Sequence, residues 1–122
     1  MKNILLAAVI LFAAVSVNAQ TSKELMGKWK LVSYKNSAGE DKDLKTISKT
    51  GELYQIFEGD NKFKSIADNQ TSKGSWELSE DNKTLTIHAG TAKASFEIEY
   101  FDGSKRIISS KYGTFEYRKV TK

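Results

Sequence analysis

The chain has 122 residues, with 19 Lys and Arg against 15 Asp and Glu, a formal net charge of +4, and neither cysteine nor proline. Without cysteine it forms no disulfide, no thiolate metal site and no lipid attachment at an N-terminal cysteine, so a hydrophobic core must hold the fold. The charges are interspersed along the chain and form no basic block, which argues against a nucleic-acid or membrane-surface protein.

Ile4 to Val17 is almost wholly apolar behind Lys2, and Val17-Asn18-Ala19 places small residues where a signal peptidase cuts. Residues 1–19 are therefore expected to be an export leader and residues 20–122 a single domain, periplasmic or secreted. The apolar run of about 14 residues is shorter than the roughly 20 that span a bilayer. Thr21-Ser22-Lys23-Glu24 has capping-box spacing, and Gly27 closely follows Leu25-Met26, which predicts one helical turn. Beyond it, period two dominates. Trp76 and Leu78 alternate with Ser75 and Glu77, Leu85 and Ile87 with Thr84 and Thr86, and Phe96, Ile98 and Tyr100 with Ser95, Glu97 and Glu99. Such alternation predicts strands with one buried face, at about 28–35, 52–58, 62–67, 73–79, 84–89, 93–101, 104–110 and 114–120.

Turn residues suggest the register. A Gly59-Asp60-Asn61 loop pairs Phe57 with Phe63, and a Glu80-Asp81-Asn82-Lys83 loop pairs Trp76 with Ile87 and Leu78 with Leu85. A two-residue Asp102-Gly103 loop sets Ile98 opposite Ile107 and Glu99 opposite Arg106. A three-residue Lys111-Tyr112-Gly113 loop sets Ile107 opposite Tyr117 and Ser109 opposite Phe115. Eight antiparallel strands joined by short hairpins remove both sheet edges by closing into an all-β, up-and-down barrel.

The helical turn, Gly27-Lys28-Trp29 opening the first strand, the strand count and Arg118 near the end of the last strand together resemble a small bacterial lipocalin-like domain of the lipocalin and fatty-acid-binding barrel group. That resemblance implies that Trp29 plugs the closed end and that Arg118 packs near it. Tyr100-Phe101-Asp102 does not match the middle motif of larger lipocalins. The pentapeptide Gly-x-Trp-x-Leu occurs twice, at Gly27 and again at Gly74. Counting strands up and down places Trp29 at the base and Trp76 at mid-barrel, as core filler or pocket wall.

An eight-stranded barrel is just wide enough to be filled by side chains or to hold one small molecule. The inward frame is large near the base (Trp29, Phe57, Phe63, Leu78, Leu85, Tyr100) and small near the mouth (Ala67, Gly74, Ala89, Ala94, Ser109), which suggests space at the open end. Gln55, Ser65, Ser109 and Tyr117 are candidate polar anchors, with Trp76, Phe96 and Phe115 as walls. The long connection 36–51 carries Leu44 and Ile47 as candidate lid residues. The expected function is an exported, non-enzymatic binding protein for a small apolar or amphipathic ligand.

The alternative is a filled barrel that acts as a protein-interaction module or enzyme inhibitor through an outer apolar patch of Tyr54, Ile56 and Ile66. Val32 and Tyr34 lie beside that patch unless a bulge turns them inward. Lys105 and Lys119 fall together on the inner frame near the closed end, where they would snorkel into water. A single histidine, His88, on the outer face gives no metal site, and Glu97 with Glu99 reads as a solvated surface pair. No phosphate loop or nucleophile elbow is present, so neither a cofactor nor a catalytic set is expected. A membrane barrel would need strands of about 9–11 residues with an apolar outer band, where this chain places Lys64, Glu77, Glu97, Arg106 and Glu116.

Overall fold

The computed structural model describes residues 22–121. The expected leader lies outside them. Residues 22–25 form the single helical turn, and nine strands follow: β1 (Gly27–Lys35), β2 (Asp41–Lys42), β3 (Leu53–Glu58), β4 (Lys62–Ala67), β5 (Gln70–Leu78), β6 (Thr84–Ala89), β7 (Ala92–Phe101), β8 (Lys105–Ser110) and β9 (Gly113–Lys119), with a 3-10 turn at Leu44–Thr46. Every neighbouring pair from β3 to β9 is an antiparallel hairpin, β1 pairs with both β3 and β9, and the sheet thereby closes into an eight-strand barrel. The two-residue β2 is an addition to the upper end of β1.

The closed end is built from the sequence as the alternation predicts. Trp29 is fully buried, and its indole Nε1 donates to the Leu25 carbonyl (2.7 Å), so the helical turn is bonded across the base. Lys119 also donates from Nζ to the Glu24 carbonyl and lies over the Trp29 ring, at the closed end where the strand count puts it. Phe57, Phe63 and Trp76 belong to the same lower core, the ring centroids of Phe63 and Trp76 lying 5.1 and 5.6 Å from that of Phe57. Trp76 Nε1 donates to the Glu58 carbonyl, 3.0 Å away. The two Gly-x-Trp-x-Leu segments thus each bury a tryptophan whose one donor is satisfied by backbone, as buried indoles require.

Two of the four turn-derived registers hold: Phe57↔Phe63 with Glu58↔Lys62, and Trp76↔Ile87 with Leu78↔Leu85. The other two are corrected. β7 and β8 pair as Phe101↔Arg106, Tyr100↔Ile107 and Ile98↔Ile108, with a bulge at Glu99. The cause is the Asp102 side chain. It accepts from the backbone N–H groups of Ser104 and Lys105 (both 2.8 Å), moving the tight turn one residue on, to Gly103–Ser104. The next loop is the two-residue Lys111–Tyr112, giving Arg106↔Tyr117 and Ile108↔Phe115.

These shifts exchange faces. Arg106, placed outside by the sequence reading, is fully buried inside, while Tyr100, placed inside, is 46% exposed and donates its hydroxyl to Asp102. Ile107 and Lys105 turn outward and Ile108 turns inward. A second bulge, between Leu31 and Ser33, turns Tyr34 inward to stack on Phe115 (5.1 Å) and leaves Val32 exposed.

Candidate ligand-binding site

The interior has two storeys. The lower one is packed around Arg106, whose guanidinium carbon lies 4.2 Å from the ring centroid of Tyr117 and 5.0 Å from those of Trp29 and Phe57. Its Nη2 donates to Gln55 Oε1 (2.7 Å), whereas Nε and Nη1 find no hydrogen-bond partner among the described residues. Burial lowers the Arg106 pKa to about 10 and raises that of the Tyr117 hydroxyl. Trp29 therefore does meet an arginine, but it is Arg106. Arg118 faces outward and bridges Glu116 (3.1 Å), because it pairs across the sheet with Lys30 and Lys105 on the outer frame.

The upper storey is open. β7 and β8 pair only up to Glu97↔Ser109, so the first five residues of β7 run past the end of that ladder. Between them and the β8–β9 turn lies a cleft of about 600 Å³, lined by Ile87, Ala89, Ala92, Ala94, Phe96 and Ser110, with Lys93, Ser95, Lys111 and Tyr112 at its margin. The small side chains that create it were partly legible in the sequence: Ala89 and Ala94 line it. Ser109 does not. It points outward and donates to Glu99 Oε2 (2.5 Å), because the register shift puts Ser110 on the inner face in its place. Gly74 does not line it either, since a Cβ there would collide with the His88 carbonyl and approach Ala89 Cα to 3.1 Å. Gly74 is small because β6 crosses close to it, and Ala67 is absent from the cleft wall too.

Of the other sequence candidates, Phe96 lines the cleft and Phe115 stands behind it, edge-on to Phe96 at 6.2 Å. Trp76, Gln55 and Tyr117 belong to the lower storey, and Gln55 is already engaged by Arg106. Ser65 lies between Gln55 and Ser72 on the inner frame, outside the cleft wall. In the long connection, Leu44 packs against the core, whereas Ile47 is 40% exposed. That connection is tethered. The Asp68 carboxylate in the β4–β5 turn accepts from Lys49 N (3.1 Å), Thr50 N (2.8 Å) and Thr50 Oγ1 (2.8 Å). The bonds from Thr50, then Lys49, hold the Asp68 carboxyl below its ordinary value. Outside the barrel, Tyr54, Ile56 and Ile66 are only half-exposed, and Lys28 Nζ lies 4.5 Å above the Tyr54 ring, so they form no bare apolar patch.

A closed, up-and-down barrel of eight strands, sealed below by a helical turn bonded to the first-strand tryptophan and open above, is the lipocalin-like fold. Solved structures share it. The chain superposes on a lipocalin-like protein from Bacteroides uniformis with a TM-score of 0.64 at 17% identity, covering 80% of this chain and 99% of that one. An uncharacterized protein from Bacteroides eggerthii gives 0.62 at 14% identity, covering 78% and 98%. A duf4847 family protein from Bacteroides vulgatus gives 0.56 at 17%, covering 79% and 94%. These likenesses are of fold. No protein-family model and no curated protein matches the chain.

Proposed function

We propose that the protein is an exported, non-enzymatic binding protein that holds one small apolar or amphipathic molecule in the open-end cleft. The observation that carries this is the cleft itself. Its volume of about 600 Å³ lies within the range of roughly 300–1,000 Å³ usual for small-molecule sites, and its walls combine Ala, Ile and Phe with a few polar groups. Binding would be burial: Ile87, Phe96 and the three alanines displace water from the apolar part of the guest, and Ser110 orients one polar group at the rim. The fold supports a binding role, and export rests on the leader-like residues 1–19.

The test is organic extraction and native mass spectrometry of the purified protein, followed by titration with a fluorescent amphiphile. Ala94→Trp, which fills the cleft without touching the lower core, should abolish dye binding with little change in melting temperature. Undiminished binding by that variant, or neither a co-purifying molecule nor dye binding in the parent, refutes the reading.

A further inference from the structure

The lysines and arginine that look scattered along the chain are brought together by the register. On the outer face, β8, β9, β1 and β3 carry the row Lys105–Arg118–Lys30–Tyr54, each residue directly opposite the next. The parallel row is Lys28–Ile56–Lys64–Lys73 across β1, β3, β4 and β5. Three of these cross-strand contacts set cation against cation: Lys105↔Arg118, Arg118↔Lys30 and Lys64↔Lys73. Like charges directly opposite one another weaken a sheet. Among the described residues, two acids bridge to the six cations in these rows, Glu116 to Arg118 and Glu58 to Lys64 (3.6 Å). Lys28 and Lys30 gather over the ring of Tyr54, at 4.5 and 6.0 Å. Beside them, Lys62, Lys64 and Lys73, with Glu58, rim a shallow recess of about 360 Å³. On the opposite wall, Glu97 of β7 faces uncharged Thr84 and Ser109 across its strands. The basic wall is thus centred on β9, β1, β3 and β4 around Tyr54, with Lys105 and Lys73 at its two edges, and its own register works against its stability.

We infer that this basic wall docks on an anionic lipid surface, with the ammonium and guanidinium groups meeting headgroup phosphates and Tyr54 lying at the headgroup level. Charge complementarity carries the assignment, since Lys28, Lys30 and Lys73 bridge no acid among the described residues, and closely spaced cations are relieved by a dense anionic layer. The aromatic at their centre is the residue type that settles at such an interface, apolar in body and polar at the tip. A protein partner fits less well. Protein hot spots need an aromatic or aliphatic anchor entering a pocket, and here Ile56 and Ile66 are half-buried in the sheet face and Tyr54 lies under the Lys28 ammonium.

Vesicle flotation tests this with residues 20–122. Vesicles of equimolar phosphatidylcholine and phosphatidylglycerol should carry the protein, and phosphatidylcholine alone should not. Binding should vanish in about 0.5 M salt, where screening shortens charge interactions to a few Å. Lys30→Gln with Arg118→Gln should lower partitioning about 30-fold with little change in melting temperature, because the like-charge contact removed offsets the exposed Arg118–Glu116 bridge that is lost. Lys64→Gln with Lys73→Gln gives a second, independent pair with the same expectation. Lys83→Gln, in the exposed β5–β6 turn, should leave partitioning unchanged. Equal binding to both vesicle types, or undiminished partitioning by both double variants, overturns the proposal. So does retention by a polyglutamate peptide without vesicle binding, which would assign the wall to an acidic protein.

Discussion

Replacing Arg106 separates two ways in which a buried cation supports a core. Lowering the arginine pKa to about 10 corresponds to a penalty of about 3 kcal/mol for keeping the charge in the folded state. Stacking against Tyr117, Trp29 and Phe57 returns about 2 kcal/mol or more when desolvated, and the charge-assisted bond to Gln55 about 1.5–3 kcal/mol. The opposing effects nearly cancel, so Arg106→Met, which keeps most of the volume, should shift stability by less than about 2 kcal/mol in either direction. Arg106→Ala also leaves a void between three rings, and should destabilise by about 3–5 kcal/mol. Urea unfolding followed by tryptophan fluorescence reads both, since Trp29 touches the guanidinium. If Met proves as damaging as Ala, the charge rather than the volume holds the lower storey, and the cancellation is wrong.

Other expectations follow from single features. Gly74→Ala should destabilise by about 3 kcal/mol or more, because a Cβ cannot fit against the His88 carbonyl without parting β5 from β6 and losing ladder bonds; a melting temperature within a degree or two of the parent would contradict this. Trp29→Ala should cost about 3–5 kcal/mol by emptying the base, read by the same denaturation assay. The lowered Asp68 carboxyl contributes stability that is present above the unfolded carboxylate pKa and lost as pH falls through the folded value. Amide exchange at Lys49 and Thr50 should therefore rise, relative to the barrel strands, below about pH 3.9. Asp68→Asn should raise it already at neutral pH.

The fold was legible because the chain repeats one device: short turns joining alternating strands. The base was legible through Trp29, and the mouth through Ala89 and Ala94. What was not legible lies in 99–113, for identifiable reasons. Ile107 and Ile108 are adjacent and equally apolar, so alternation cannot say which faces in. A charge at 106 reads as an outer residue, and Glu99 offered it a plausible partner. The Asp102 turn and the Glu99 bulge depend on side-chain bonds to backbone, and neither leaves a periodic trace. The cross-strand stacking of cations was likewise hidden, because Arg118 meets Lys105 only in the two-residue-loop register of β8–β9, and Lys30 joins them only once the barrel closes.

The early end of the β7–β8 ladder gives the cylinder a slit down one flank. In the tight β6–β7 hairpin, Ala92, Ala94 and Phe96 bond back to β6, which directs the peptide groups of Lys93 and Ser95 into that slit. The cleft therefore opens sideways as well as upward, and those two amides should be the first in the wall to trade their hydrogens with water. Local opening of the barrel should therefore begin there, away from the tryptophan floor.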